Sequence, residues 1–461
     1  MAGVGFQLRR LLEQDNYLAT LQAFIFSGII SSGPWVLSIA GIMTIGLVTA
    51  GSTVGSTFAA PFQISVTYLM MISLLLTSPV QLIFTRYVAD RLYEGSEQRV
   101  LPNLFGAITI MTLLSGFGGI ASIHWFYGVS EITLYWTVML CCFVALCDIW
   151  LLVIVVSCMK SWERIIQAFA VGYGCSIVMA LALRSQGVEG LLGGFLIGQC
   201  LLFFMLLAEI VPLFPSPDLL RFDFLQAYRQ YPSLAAIGIF YVGGSWVDKA
   251  VFWWLPDTGV SVYGPFRASP IYDMPLFMAY LSIIPGMSVF LIRLEADFAD
   301  CCDGFFKAIR QGATLEQIIA AKDRMVVAVR RGFVDMCKIQ GLTIIVLISM
   351  NEELLGLFGI SPVYRMLLNV DLVACGIQLL FAATLNVLFY LDERPSAMGL
   401  CLLFVTSNGL LSYVSYELGP LAYGYGFAGA TLLSALVGLG VLARRLQDLE
   451  YKTFVLQRVR Y

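Results

Sequence analysis

One histidine stands in the whole chain, His124 beside Trp125 at the end of an apolar run. A lone imidazole leaves nothing from which to build a histidine-rich zinc site or a Ser–His catalytic pair. The eleven cysteines include no CxxC pair, and most, such as Cys141, Cys142, Cys147, Cys375 and Cys401, fall inside apolar runs, where free cysteine packs as a small hydrophobe. No metal, no cofactor and no catalytic residue is therefore expected. Charge is also scarce: 12% of residues are Asp, Glu, Lys or Arg, against about 25% in soluble domains. The net charge of −3 argues against nucleic-acid binding. The opening residues interleave Val4, Phe6, Leu8 and Leu11 with Arg9, Arg10, Glu13 and Asp15, an amphipathic lead-in at the interface rather than a cleavable signal. Ala2 stands where myristoylation requires Gly.

Apolar sequence fills the space those absences leave. With 59% hydrophobic residues and a mean hydropathy of +0.84, the chain carries more apolar surface than a soluble core can bury, so lipid must cover the excess. A helix needs about 20 mainly apolar residues to cross the hydrocarbon core. Runs near 17–50, 60–86, 103–127, 132–158, 165–183 and 189–212 meet that test, followed by 233–255, 268–292, 333–351, 366–390, 396–416 and 420–442. Gly33-Pro34 bends the first. The reading is an all-α integral membrane protein of about 12 transmembrane helices in two six-helix bundles. An amphipathic N-terminus (1–16) precedes the first bundle (17–212), and a Pro-rich linker (213–232) leads to the second (233–442), which includes an amphipathic segment at 293–332. A tail at 443–461 ends the chain. Placing both termini in the cytoplasm leaves only Arg184, Arg267 and Arg365 on the far side and Lys249 inside a span, as the positive-inside rule asks. Ser31-Ser-Gly-Pro-Trp35 and Gly243-Gly-Ser-Trp246, near the start of each half, suggest a parallel internal repeat with a pseudo-twofold axis.

Ionisable groups deep in a bilayer are costly and face protein or a watery path. Asp148 lies mid-span, and Asp248 with Lys249 about 24–26 Å along the seventh helix from Pro232. They either belong to a conduction path or neutralise one another structurally. Trp35, Tyr241 and Trp246 are candidates for packing on sugar faces, whereas Trp253 and Trp254, next to Pro256, read as an interfacial belt. Asp371, Gln378 and Asn386 recur at seven and eight residues on one helix face and either line a hydrophilic path or bond to neighbouring helices. Gly424-Tyr-Gly-Phe-Ala-Gly429 matches a dinucleotide fingerprint, but no strand precedes it, and close helix packing is expected, as for Gly190, Gly194 and Gly198. Phe298, Phe305, Ile309, Ile318, Met325 and Val329 recur at helical spacing among charges, giving amphipathic helices that dock a cytosolic partner or lie on the membrane.

The opening MAGVGFQLRRLL, the segment SGIISSGPWVLSIAGI and the run WVDKAVFWW resemble the PelG family of exopolysaccharide exporters, placed in the multidrug/oligosaccharidyl-lipid/polysaccharide flippase superfamily. The resemblance runs the whole length. It implies a V-shaped, flippase-like pair of bundles around a central cavity in the bacterial inner membrane. It also implies a hexosamine-rich polymer as substrate, exported for biofilm matrix, and as partners a cytosolic glycosyltransferase (PelF-like) and membrane subunits (PelD-like, PelE-like). On this reading Trp35, Asp148, Tyr241, Trp246, Asp248, Lys249, Asp371, Gln378 and Asn386 are the candidate substrate path, and Phe305, Ile309 and Ile318 the docking residues. The rivals are a lipid-linked oligosaccharide flippase, a cation-coupled multidrug exporter, a membrane-embedded glycosyltransferase and a non-conducting scaffold subunit of a polysaccharide synthase. A single intramembrane lysine weakens the first, and the want of a sizeable soluble domain weakens the glycosyltransferase.

Overall fold

The computed structural model describes residues 27–28, 37–46, 48–49, 56–127, 133–157, 162–357 and 361–454. The N-terminal segment 1–16, Trp35 and most of the first expected span lie outside the described residues. The described chain is almost wholly helical and holds 10 helices long and apolar enough to cross a membrane, or 11 if the bent pair Pro270–Leu281 and Ile284–Arg310 counts as one span. The helices divide into two compact units, the first mainly Ser32–Trp246 with Trp253–Ser269, the second mainly Val247–Phe252 with Pro270–Tyr461. The helix placed by the sequence at the head of the second bundle is thus shared between the two units.

The first unit contains α1 (Leu37–Gly46) and α2 (Ser56–Tyr93), then α3 (Val100–Tyr127), α4 (Leu134–Ser157), α5 (Trp162–Leu183) and α6 (Val188–Ile210). A short α7 (Leu225–Gln230) leads into α8 (Pro232–Trp254). Its core gathers Phe62, Phe84, Leu146, Leu152, Phe195 and Phe224. Helices α5 and α6 approach so closely that a Cβ on Gly194 would lie 2.2 Å from the Ala180 nitrogen, and one on Gly198 2.0 Å from Ser176 Oγ. Small residues let the backbones meet where lipid offers no hydrophobic drive. The linker is part of this unit. Arg221 N–H donates to the Pro102 carbonyl (3.0 Å), Phe224 N–H donates to Asn103 Oδ1 (3.1 Å), and Phe214 and Phe224 are buried in the core. Burial there pushes the Tyr228 phenol up to about 12.

After α8 a two-stranded antiparallel hairpin, β1 (Val260–Tyr263) and β2 (Phe266–Ala268), interrupts an otherwise helical chain. The sequence reading did not anticipate it. Arg267 closes it from within, donating from Nε to the Trp253 carbonyl (2.8 Å) and from Nη2 to that of Gly259 (2.6 Å). Tyr68 stacks on Trp253 at 4.9 Å and packs on Phe266 at 4.7 Å. Trp253, at 1% exposure, is therefore a core residue that holds the hairpin, which corrects its reading as belt; Trp254, at 62%, remains open to the surroundings.

The second unit begins with α9 (Pro270–Leu281) and α10 (Ile284–Phe290), which passes into a π-helical segment, Leu291–Phe298, and then α11 (Ala299–Arg310). The 43° bend falls between α9 and α10, next to Pro285. Gly312, at φ +68°, turns the chain, and Thr314 caps α12 (Leu315–Ser349) through a capping box with Gln317. Then come α13 (Asn351–Leu357), α14 (Arg365–Tyr390), α15 (Arg394–Glu417), α16 (Tyr425–Gln447) and α17 (Leu449–Phe454). Gly424 sits at φ +84° at the start of α16, and a Cβ on Gly426 would lie 2.4 Å from the Leu411 carbonyl oxygen. The glycine-rich run is a helix start and a close crossing of α15 and α16.

Helices α11 and α12 form an antiparallel pair. Phe305 is fully buried and Ile318 is 4% exposed; with Cys302 and Met325 they form the pair's own interior. Two of the three docking residues expected from the sequence are therefore unavailable to a partner, because the amphipathic pattern closes on the chain itself. Ile309 is half-buried. The exposed apolar side chains of the segment are Leu315, Ile319, Val327 and Val334.

Candidate translocation site

In the second unit the buried groups converge. Asp248, on α8, is fully buried, and three side chains address it. Lys249 Nζ lies 3.4 Å from Asp248 Oδ2, Tyr272 of α9 donates to Oδ2 at 2.9 Å, and Asn408 of α15 donates to Oδ1 at 3.4 Å. Ser412, one turn further along α15, donates to Asn408 Oδ1 at 3.1 Å and so orients that amide. Lys249 Nζ also sits over the rings of Tyr280 (5.1 Å) and Phe427 (5.9 Å), whose negative faces favour a cation. Phe252 stacks on Tyr272 at 4.0 Å and holds the phenol in place.

Asp371, on α14, is fully buried close enough to feel the charges of Asp248 and Lys249. Neither of its carboxylate oxygens has a hydrogen-bond partner among the described residues, and a Cβ on Gly424 would come within 2.9 Å of Oδ1. The unit thus buries two carboxylates around one lysine. Removing one partner of the Asp248–Lys249 pair would leave the other charge deep in the span and uncompensated, at a cost of about 3–5 kcal/mol.

The other expected path residues distribute differently. Asn386 donates to Glu295 Oε1 at 2.7 Å, and Tyr390 donates to Glu295 Oε2 at 3.0 Å, so Asn386 ties α14 to the π-helical segment. Of its two readings, the bond to a neighbouring helix is the one the geometry supplies. Gln378 is buried on α14 between Asp371 and Asn386. Asp148 belongs to the first unit, where Thr112 donates to its Oδ2 at 2.8 Å and Oδ1 is buried without a hydrogen bond among the described residues. Tyr241 and Trp246 are half-buried in that unit, and Trp246 lies 6.4 Å from the Trp253 ring. The same unit carries polar groups that sequence reasoning passed over. Ser65 shares a 2.7 Å hydrogen bond with Tyr135, Trp150 donates to Ser73 (3.0 Å), and Gln81 donates to Thr77 (2.9 Å).

Tyr272, Asn408, Ser412 and Glu295 were also missed. Asn408 and Ser412 could have been found, because a polar pair four apart inside the mainly apolar run Leu400–Val414 places both on one helix face. Tyr272 gave no such signal.

The fold recurs in solved transporters. An outward-facing multidrug resistance MATE family transporter of the MOP superfamily superposes with a TM-score of 0.67 at 13% identity, over 98% of this chain and 99% of that one. A MOP superfamily transporter from Pyrococcus furiosus gives 0.65 at 11% identity, over 93% and 96%. A Vibrio cholerae MATE transporter gives 0.65 at 10% identity, over 96% and 98%. No curated protein matches the sequence. At these identities the likeness establishes the fold, that of the MOP superfamily. The family model of PelG, the exopolysaccharide exporter (EPS-E), matches residues 1–454. The chain belongs to the PelG family of exopolysaccharide exporters.

Proposed function

We propose that the protein carries a hexosamine-rich polysaccharide across the bacterial inner membrane as a cytosolic glycosyltransferase makes it, and performs no covalent chemistry itself. The observation that carries the reading is the family match over 1–454. Both termini lie in the cytoplasm, the side to which the Lys/Arg distribution assigns them. Trp35, Asp148, Tyr241, Trp246 and Gln378 remain candidate path residues, and the Asp248–Lys249–Asp371 cluster sets the charge of the second unit. Because Lys249 faces Asp248 at 3.4 Å, the one lysine deep in a span is already neutralised, which disfavours a pyrophosphate-linked substrate. Docking falls to the exposed end of the α11–α12 pair, at Leu315 and Ile319, with PelF-like, PelD-like and PelE-like subunits as partners. A polymer delivered at the channel mouth gains from the high local concentration that a tethered synthase provides.

The test is a deletion strain carrying the active glycosyltransferase, complemented by this chain. Secreted hexosamine polymer is expected only with the complementing chain, while accumulation of cationic drugs stays the same with or without a proton gradient. Drug efflux that depends on the gradient, without polymer export, would favour the multidrug rival.

A further inference from the structure

Helix α12 is far longer than a bilayer requires. Its 35 residues span about 52 Å at 1.5 Å per residue, against about 30 Å of hydrocarbon. Counted back from Ser349, about 20 residues place the edge of the hydrocarbon near Arg330. The span it supplies is only 17% buried, the lowest value among the ten. Within it Leu342 (60% exposed) and Ile345 (64% exposed) point away from the protein. That face continues without a break toward the start of the helix. At 100° per residue, Lys338, Val334, Arg331, Val327 and Arg324 lie on the same side as Leu342 and Ile345, with Arg330 beside them. The opposite side, Met325, Val329, Gly332 and Met336, is buried, and Gly332 lies against Leu294 of the π-helical segment.

Charge on this stretch is mostly positive. From 324 to 338 the sequence holds Arg324, Arg330, Arg331 and Lys338 against a single acid, Asp335. Asp335 is already engaged by Arg293 Nε at 2.9 Å, and Lys338 reaches it only at 4.0 Å. Arg330 and Arg331 are exposed and form no ion pair among the described residues; Arg324 bonds only to the Ala320 carbonyl of its own helix. The paired cations of the neighbouring helix, Lys307 and Arg310, share Asp303 and serve as a contrast.

We propose that this face, from Arg324 to Arg331, binds the phosphate headgroups of anionic phospholipid. Lipid tails lie against Leu342 and Ile345, and the guanidinium groups of Arg330 and Arg331, at the level where the hydrocarbon ends, meet the headgroups of those same molecules. Arginine presents a planar fork of donors that matches a phosphate. The inference needs only that α12 spans the membrane, so it stands apart from what the protein exports.

The test uses the full chain in nanodiscs of phosphatidylcholine with a minority of phosphatidylglycerol, released into the gas phase to count retained lipids by native mass spectrometry. The wild type retains phosphatidylglycerol preferentially. Arg330→Gln with Arg331→Gln lowers that preference by about fivefold per charge at low ionic strength. Arg330→Lys with Arg331→Lys keeps most of it, and Lys307→Gln with Arg310→Gln leaves it unchanged. All these side chains are exposed, and equal melting temperatures verify that the variants fold. Equal retention of phosphatidylglycerol by wild type and the double Gln variant overturns the proposal. So does a co-purifying protein that the Gln variant loses while its lipid count stays the same, which would assign the face to a protein partner.

Discussion

Asp248 receives three hydrogen-bonding groups from three helices, and that number decides how it responds to substitution. Neutralising Asp248 alone leaves Lys249 a cation deep in the span without the carboxylate it faces at 3.4 Å, whereas neutralising Lys249 alone leaves Asp248 a buried carboxylate without its cation; the double change removes both charges together. Asp248→Asn and Lys249→Met are therefore each expected to reduce export more than the double change does. Secreted polymer, measured at matched protein levels in the membrane, checks this; equal loss in single and double variants would give the two groups separate conduction roles. Tyr272→Phe removes a buried donor and should destabilise the protein by about 1–3 kcal/mol, read as a lower melting temperature in detergent. The sequence exposed the charged members of this cluster because a charge inside an apolar run is conspicuous. It hid Tyr272 and Glu295, whose partners lie 24 and more than 90 positions away along the chain and meet them only through the folded contacts.

At the scale of elements, hydropathy sums over some 20 residues and so located the spans well. It did not reveal the β1–β2 hairpin, whose seven strand residues are too few to show a period of two and whose closure depends on Arg267 reaching backbone carbonyls. Amphipathic periodicity made helices of 295–331, as the structure has them apart from the turn at Gly312, but could not say what the apolar face covers. In the structure it covers the partner helix, so Phe305→Ala opens a cavity in the α11–α12 pair and is expected to cost about 3–5 kcal/mol. Leu315→Ser with Ile319→Ser touches only exposed surface. That variant should keep the melting temperature of the wild type and yet lose the glycosyltransferase from purified complexes; retention at wild-type stoichiometry would rule this end of the pair out as the docking surface.

For the whole molecule, orientation follows from charge placement alone and can be read by labelling. Cysteines at Gln98 and Gln311, in a background free of native cysteine, should be protected from impermeant thiol reagents added to intact cells, and one at Leu418 should react. These positions are exposed and avoid the neighbouring glycines Gly95, Gly312 and Gly419, whose positive φ a cysteine would strain. The central claim, that this chain itself conducts the polymer, is tested most directly in proteoliposomes. The chain is reconstituted with its glycosyltransferase, supplied with a radiolabelled nucleotide-activated hexosamine outside, and the product is challenged with a glycoside hydrolase that cannot enter. The account predicts polymer inside the vesicles, protected from the hydrolase until detergent is added, and a loss of that protection in Lys249→Met vesicles of equal protein content and equal total synthesis. Protected polymer of equal amount in vesicles holding the synthase without this chain would contradict it.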